Sequence, residues 1–331
     1  MNTRAFVAGW ASAVPDGRLT NADLEQRVDT TDAWIVERTG IRERRVASRD
    51  QTTASLAIEA GATAVKYAGL APEAIDLLVL ATATPEQPIP HTGAFVGEGI
   101  GVRCGSFDLG AGCAGFVYAL VAGASMLTGG GLEHVLVIGA ETLSRIVNPA
   151  DRGTCILFGD AAAAMVLGRS DRPDAPGLLA WDLGCDGSAT GLLEIRGGGS
   201  RMPTTPETVA AGEHWLRMQG QEVFRRAVRA VVDSGAATLE GAGVTAAEVD
   251  WFVPHQANLR IIDAARHRLG IPEERTVVNI ERYGNTSAAS IPLALAEAAD
   301  DGRIRDGDLV LCSGFGAGMT WASALLRWGH P

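Results

Sequence analysis

The chain carries a second copy of its own pattern. "GLAPEAIDLLV" at residues 69–79 aligns with "GVTAAEVDWFV" at 243–253, placing Asp76 on Asp250, an offset of 174 residues. The same offset lays "VLVIGAE" (135–141) on "LVLCSGF" (309–315), and the helical pattern opening at Cys113 on one opening near Ser287. Several matches in one register imply a duplicated unit, and two copies make an internal pseudo-dyad rather than a solenoid. Such a relation sets equivalent loops side by side at the junction of the halves. The loop at Cys113, the loop after Val253 and the loop before Ser287 are therefore expected to meet in one cavity. The polar stretch "RSDRPDAPG" (169–177) marks the boundary, giving halves 1–172 and 173–331.

Within each copy, short apolar runs such as "AIDLLVLATA" and "DLVLCSGFG" alternate with helical patterns. That alternation predicts an α/β protein whose sheets are covered by helices. A chain of 331 residues, 47% hydrophobic and 20% charged, can bury a large core. Its net charge of −11 argues against a broad nucleic-acid or anionic-membrane surface and makes any arginine cluster informative. The five cysteines (Cys104, Cys113, Cys155, Cys185, Cys312) are scattered without metal-like spacing, which reads as a reduced, cytoplasmic chain without a metal site. The opening "MNTRAFVAGW" lacks a signal-peptide pattern, and no uninterrupted apolar run reaches a membrane-spanning length.

In "GAGCAGFVYAL" (110–120) Cys113 stands among residues with almost no side chain, where a strand pattern yields to a helical one. A lone cysteine is often an inert core residue. Small neighbours, however, permit close backbone approach, and a helix N-terminus is expected to lower the thiol pKa. The following helix is apolar on all sides and so central. His255 in "WFVPHQAN" follows a strand and precedes a helix, and Asn285 in "YGNTSAAS" precedes another. Alone, His255 reads as structural and Asn285 as a turn or cap residue; in the repeat register, all three lie at converging helix entrances. "GFGAG" (314–318) is either a tight hairpin or a source of backbone N–H groups for an oxyanion.

"GCAGFVYAL", "VPHQANLRII", "RYGNTSAASIPLAL" and "GFGAGMTWASALL" together resemble the motif set of the β-ketoacyl-acyl-carrier-protein synthase III family, condensing enzymes of the thiolase fold. The resemblance runs from "TNADLEQRVDTTDAWIVERTGIRERR" to the C-terminus. It implies two pseudo-twofold-related halves in an α/β/α/β/α layering, a Cys113–His255–Asn285 catalytic set, and an oxyanion site from the amides of Cys113 and Ala317. The implied reaction loads an acyl group from acyl-CoA onto Cys113 and condenses it with malonyl-acyl-carrier protein, with loss of CO2. CoA enters as a thioester substrate, and no metal or redox cofactor is implied.

The same resemblance assigns Trp34 to stacking on the CoA adenine, Arg38 to its phosphates, Arg152 to the far side of the base, and Gly220 and Asn258 to the pantetheine tunnel. Without it, Arg38, Arg42, Arg44 and Arg45 read as a solvated, ion-paired face. Arg260, Arg266 and Arg268, with His267, are implied as the docking patch for an acidic carrier protein; the plain alternative is an exposed helix face. Ile89 stands where the family usually has an aromatic residue at the dimer-contributed end of the acyl pocket. His91 replaces a small residue and Gln221 a common asparagine. These departures predict a primer larger than acetyl. A homodimer is implied by the resemblance alone.

Three other readings stay open: a thiolase-fold acyltransferase or condensing enzyme of specialised metabolism passing the Cys113 acyl group to another nucleophile, a cysteine hydrolase, and a non-catalytic partner subunit. Asn285 favours condensation, the absence of a papain-like signature disfavours the hydrolase, and Cys113 itself disfavours the inactive subunit.

Overall fold

The computed structural model describes residues 3–172 and 174–331. The boundary expected between residues 172 and 173 falls at Pro173, outside the described residues. Two sheets form the frame. The first has the order Arg4–Ala13, Asp160–Ser170, His134–Thr142, Leu77–Ala81, Gly105–Leu109; the second, Trp251–Pro254, Leu309–Gly316, Thr320–Arg327, Gly177–Cys185. In each, the parallel pairings occupy one side of the sheet and the antiparallel ones the other: Leu77–Ala81 runs parallel to both His134–Thr142 and Gly105–Leu109, and Trp251–Pro254 runs parallel to Leu309–Gly316. The second sheet keeps only a trace of the fifth strand, a parallel bridge between Phe252 and Thr276.

Strands buried on both faces become continuous apolar runs, and Leu77–Ala81 and Leu309–Gly316 are buried at every position. The helices Gly115–Gly130 and Ser290–Asp300 fill the space between the sheets, and their side chains join residues of both sheets in one core. The helix Thr53–Tyr67 covers the outer face of the first sheet. The helices Gly220–Ala242 and Leu259–Leu269 cover that of the second. The result is the α/β/α/β/α layering of the thiolase fold.

Gly112–Gly130 is, by length and composition, apolar enough to cross a membrane, contrary to the expectation that no stretch would be. In this structure it is the central helix, with 61% of its apolar window buried inside the protein.

The repeat register needs a one-residue correction. Leu77 pairs with Val135, but its counterpart Trp251 pairs with Val310, not Leu309. The copies also differ in the connection between their central antiparallel strands, which spans residues 143–159 in the first half and 317–319 in the second.

Candidate active site

Cys113 leaves the strand Gly105–Leu109 through a single 3-10 turn, Gly112–Ala114, and stands directly before the helix Gly115–Gly130. The turn requires glycine at 112, where φ is +53° and an added Cβ would stand 2.8 Å from the Ala317 nitrogen. Across from it, a Cβ on Gly316 would stand 2.4 Å from the Cys113 nitrogen. The two glycines thus bring the backbones of 112–113 and 316–317 into contact. Thr320 fixes the second strand: its hydroxyl donates to the carbonyls of Ala111 (2.7 Å) and Ala317 (3.3 Å). Cys113 and Ala317, whose backbones meet here, line the same cavity.

The thiol itself departs from expectation. Cys113 is 7% exposed, and burial pushes its pKa up to about 12, against a lowering hydrogen bond from the Ser287 side chain and with the nearby Glu141 carboxyl adding to the rise. Withdrawing a thiolate from water outweighs the helix terminus in this structure. Glu141 was not singled out by the sequence pattern. It is fully buried and accepts hydrogen bonds from Thr84 Oγ1 (2.6 Å), from the Ala83 nitrogen (3.1 Å) and from the Ala288 nitrogen (3.4 Å). Its carboxyl is held above the ordinary range by burial, opposed by these bonds and one from Ser287.

His255 follows the strand Trp251–Pro254, and its backbone N–H donates to Ser313 O at 2.8 Å, locking it to the neighbouring strand. The ring is edge-on to Phe315, with centroids 5.4 Å apart. Burial lowers its pKa to about 3, so the imidazole is neutral. Nδ1 lies 2.6 Å from Ser290 Oγ, while Nε2 is buried without a protein partner. Asn285 is held through its backbone: its N–H donates to Leu157 O (2.8 Å), and Gly159 N–H donates to its carbonyl (3.0 Å). The N–H of Ser287, a residue with φ of +47°, donates to Asn285 Oδ1 at 2.8 Å. An N–H can only face the amide oxygen, so the amide NH2 is the end left for the cavity.

Cys113, His255, Asn285 and Ala317 line one cavity of about 550 Å³. Trp34, Arg38, Gly220, Gln221, Asn258 and Arg260 line it as well, towards the surface. Arg38 and Arg152 place their guanidinium groups 4.8 and 4.9 Å from the Trp34 ring centre. Arg152 itself is outside the cavity lining and donates to Asp29 O at 2.7 Å. Asn258 caps the helix Leu259–Leu269 by accepting from Arg260 N–H, and its Nδ2 donates to Arg38 O at 3.0 Å, joining the two halves at the mouth.

Ile89 is 85% exposed and does not line its own chain's cavity. Arg266 is engaged by Asp263 (2.8 Å) and Glu273 (2.9 Å), whereas Arg260 and Arg268 are exposed; Arg260 lies over Phe224 at 5.6 Å. Arg44, grouped by sequence with a solvated face, is fully buried. Its guanidinium donates to Ile156 O, to Leu19 O (3.4 Å) and to Asn21 Oδ1 (2.7 Å), and burial lowers its pKa to about 10. Among the described residues no His, Cys, Asp or Glu cluster could hold a metal ion.

The chain is similar in sequence and in fold to proteins of known family. The family model described as 3-oxoacyl-[acyl-carrier-protein] synthase III matches residues 107–187, and its C-terminal companion matches 239–328. A β-ketoacyl-[acyl-carrier-protein] synthase III of Symbiobacterium thermophilum is 49% identical over 98% of both chains. The crystal structure of 3-oxoacyl-[acyl-carrier-protein] synthase III from Aquifex aeolicus is 42% identical, covers 98% of this chain and 100% of its own, and superposes with a TM-score of 0.91. The priming β-ketosynthase of the R1128 polyketide pathway is 38% identical, covers 99% of this chain and 97% of its own, with a TM-score of 0.89. With family models matching both halves and relatives matching along its whole length, the chain belongs to the β-ketoacyl-[acyl-carrier-protein] synthase III family.

Proposed function

We propose that this protein catalyses the decarboxylative condensation of an acyl-CoA primer with malonyl-acyl-carrier protein, giving β-ketoacyl-acyl-carrier protein, CoA and CO2. The observation that carries the reading is the convergence of a buried thiol, two backbone N–H groups and two side-chain donors on one cavity whose mouth holds Trp34 and Arg38. In the first half-reaction the Cys113 sulfur attacks the thioester carbonyl, and the amides of Cys113 and Ala317 receive the charge on oxygen. The C–S bond to CoA breaks, and the CoA sulfur takes up the proton that Cys113 loses. Acyl transfer between thiols is therefore proton-neutral, and a thiol held neutral at rest need ionise only as the thioester arrives.

In the second half-reaction the malonyl thioester carbonyl accepts hydrogen bonds from His255 Nε2 and Asn285 Nδ2. The C–C bond to the carboxylate breaks, CO2 departs, and the electron pair forms an enolate at that carbonyl. The enolate carbon attacks acyl-Cys113, the tetrahedral oxygen again meets the two amides, and the Cys113 sulfur leaves and regains a proton. The half formed by residues 1–172 thus holds the acyl group, and that formed by 173–331 prepares its attacker.

Trp34 offers a ring face to the adenine, with Arg38 for phosphate and Arg152 moving off the ring to flank the base. Gly220 and Asn258 line the pantetheine path. Arg260 and Arg268, with His267, form the carrier-protein surface, and Arg266 braces it. A homodimer would bring Ile89, exposed in the single chain, to the end of the partner's acyl pocket, and its replacement of the family's usual aromatic residue, with His91 and Gln221, supports a primer larger than acetyl. Initiation of fatty acid synthesis is the first pathway; the R1128 priming enzyme supports specialised-metabolite priming as the second.

Intact-protein mass spectrometry after incubation with acetyl-, butyryl- and isobutyryl-CoA, then malonyl-carrier protein, tests the reading. A covalent acyl adduct absent from Cys113→Ala, followed by CO2 release and a β-ketoacyl product, is expected. Acylation of the Cys113→Ala protein overturns it, and a preference for acetyl-CoA overturns the primer assignment.

A further inference from the structure

The two nitrogens of the His255 ring keep different company. Nδ1 is 2.6 Å from Ser290 Oγ; Nε2 is buried, has no protein partner and belongs to a residue of the cavity wall. Among the described residues Ser290 Oγ has one further hydrogen-bond partner, the backbone N–H of Gln256, at 3.4 Å. A peptide N–H can only donate, so that contact occupies a lone pair of the hydroxyl. A second lone pair stays free, but the hydroxyl proton has no acceptor other than Nδ1 among the hydrogen bonds of the described residues, so Nδ1 accepts it. A neutral imidazole whose Nδ1 accepts must carry its proton on Nε2. Burial keeps the ring neutral, which removes the doubly protonated alternative.

We infer that Ser290 is a positioning residue that fixes His255 in the Nε2–H tautomer, making it a standing hydrogen-bond donor to the cavity. This deepens the proposed condensation and rests on it. The same short segment treats Asn285 alike: the Ser287 N–H occupies Oδ1 at 2.8 Å and leaves Nδ2. The turn Ser287–Ala289 and the first residue of the helix Ser290–Asp300 therefore prepare two donors and no acceptor. Such a pair suits an oxygen gaining negative charge, the thioester oxygen of an enolate. It is unsuited to removing a proton, so His255 is not the base that ionises Cys113. The first half-reaction is consequently insensitive to the tautomer and the second depends on it.

The test uses the full-length protein labelled with 15N-histidine, wild type and Ser290→Ala, with His255→Gln supplying the assignment. Long-range 1H–15N spectra report which ring nitrogen bears the proton. Cys113 loading is followed by intact mass, and CO2 release from labelled malonyl-carrier protein is followed separately. We expect Nε2–H in the wild type and its loss in Ser290→Ala. CO2 release should fall about 100-fold, comparable to losing one transition-state donor, while loading stays within about twofold. Ser290→Thr, which keeps the hydroxyl, should restore both the spectrum and CO2 release. Nδ1–H in the wild type overturns the inference, even if Ser290→Ala fails to fold. Equal loss of loading and CO2 release, or an unchanged tautomer in Ser290→Ala, overturns it too. If the wild type loads Cys113 but releases no CO2, the condensation reading fails while the spectrum still decides the tautomer.

Discussion

Replacing Gly316 by alanine places one methyl group where the oxyanion site is built. The new Cβ would stand 2.4 Å from the Cys113 nitrogen, 3.0 Å from Gly112 C and 3.1 Å from Ala111 O. All three are backbone atoms, so no side-chain rotation relieves the contact. Ordinary van der Waals contact begins near 3.4 Å, and the strands must therefore separate by roughly 1 Å. That displacement acts on the line between the two amides proposed to receive the tetrahedral oxygen. Loss of one such donor costs about 10²–10³-fold in rate, and an error of about 1 Å in a reacting geometry costs about 10²-fold. Acylation of Cys113 in Gly316→Ala is thus expected to slow about 100-fold, read by intact mass under single-turnover conditions. Overpacking should cost about 1–3 kcal/mol of stability, read as a lower Tm. CoA affinity, measured by calorimetry, should be nearly unchanged because Trp34 and Arg38 are on other elements. Acylation within about threefold of the wild type at an unchanged Tm would refute the placement of the two amides.

Three further outcomes follow from the site. The Cys113 thiol is held near 12 by burial, so its alkylation by iodoacetamide, followed on the Cys113 peptide, should rise about tenfold per pH unit from neutrality upward; a plateau near neutral pH would show that the helix terminus prevails. Trp34→Ala should raise KM for acyl-CoA about tenfold with kcat little changed, because base stacking is lost equally from ground and transition states; a fall confined to kcat contradicts the assignment. Arg44→Met should lower stability by about 3 kcal/mol, since it leaves the buried Ile156 and Leu19 carbonyls and Asn21 Oδ1 without their charged donor; an unchanged Tm would mean that these oxygens find other donors.

Sequence made Cys113 visible as the proposed nucleophile because small residues crowd this strand-to-helix junction, where backbones meet, Gly112 against Ala317. It made the duplication visible through Asp76 and Asp250. Both carboxylates bridge strands in the structure, Asp76 Oδ2 accepting from His134 N–H and Asp250 Oδ2 from Leu309 N–H. The one-residue slip that follows was not legible: strands buried on both faces are apolar at every position, so a shift by one residue leaves the pattern intact. Arg44 escaped because a cation among three others looks solvated until the fold supplies neutral oxygens around it. Arg266 escaped for a related reason, since its second partner, Glu273, lies beyond the end of its helix. Glu141, an acid at the end of "VLVIGAE", was a buried acid that its apolar surroundings could have flagged.

The division of labour in the site arises where the two copies differ. Each copy presents a helix N-terminus at the pseudo-dyad, with Cys113 at one and Ser287 at its counterpart. The connection after the central strand is long in the first copy, and Leu157 and Gly159 within it hold the backbone of Asn285. In the second copy the same connection shrinks to residues 317–319, which drives the Ala317 nitrogen against Gly112 and beside Cys113. Each half thus completes the other's chemistry: the first braces the asparagine of the second, and the second supplies an amide to the cysteine of the first. Neither set of groups exists within one half alone, and transplanting either connection into the other copy would dismantle both.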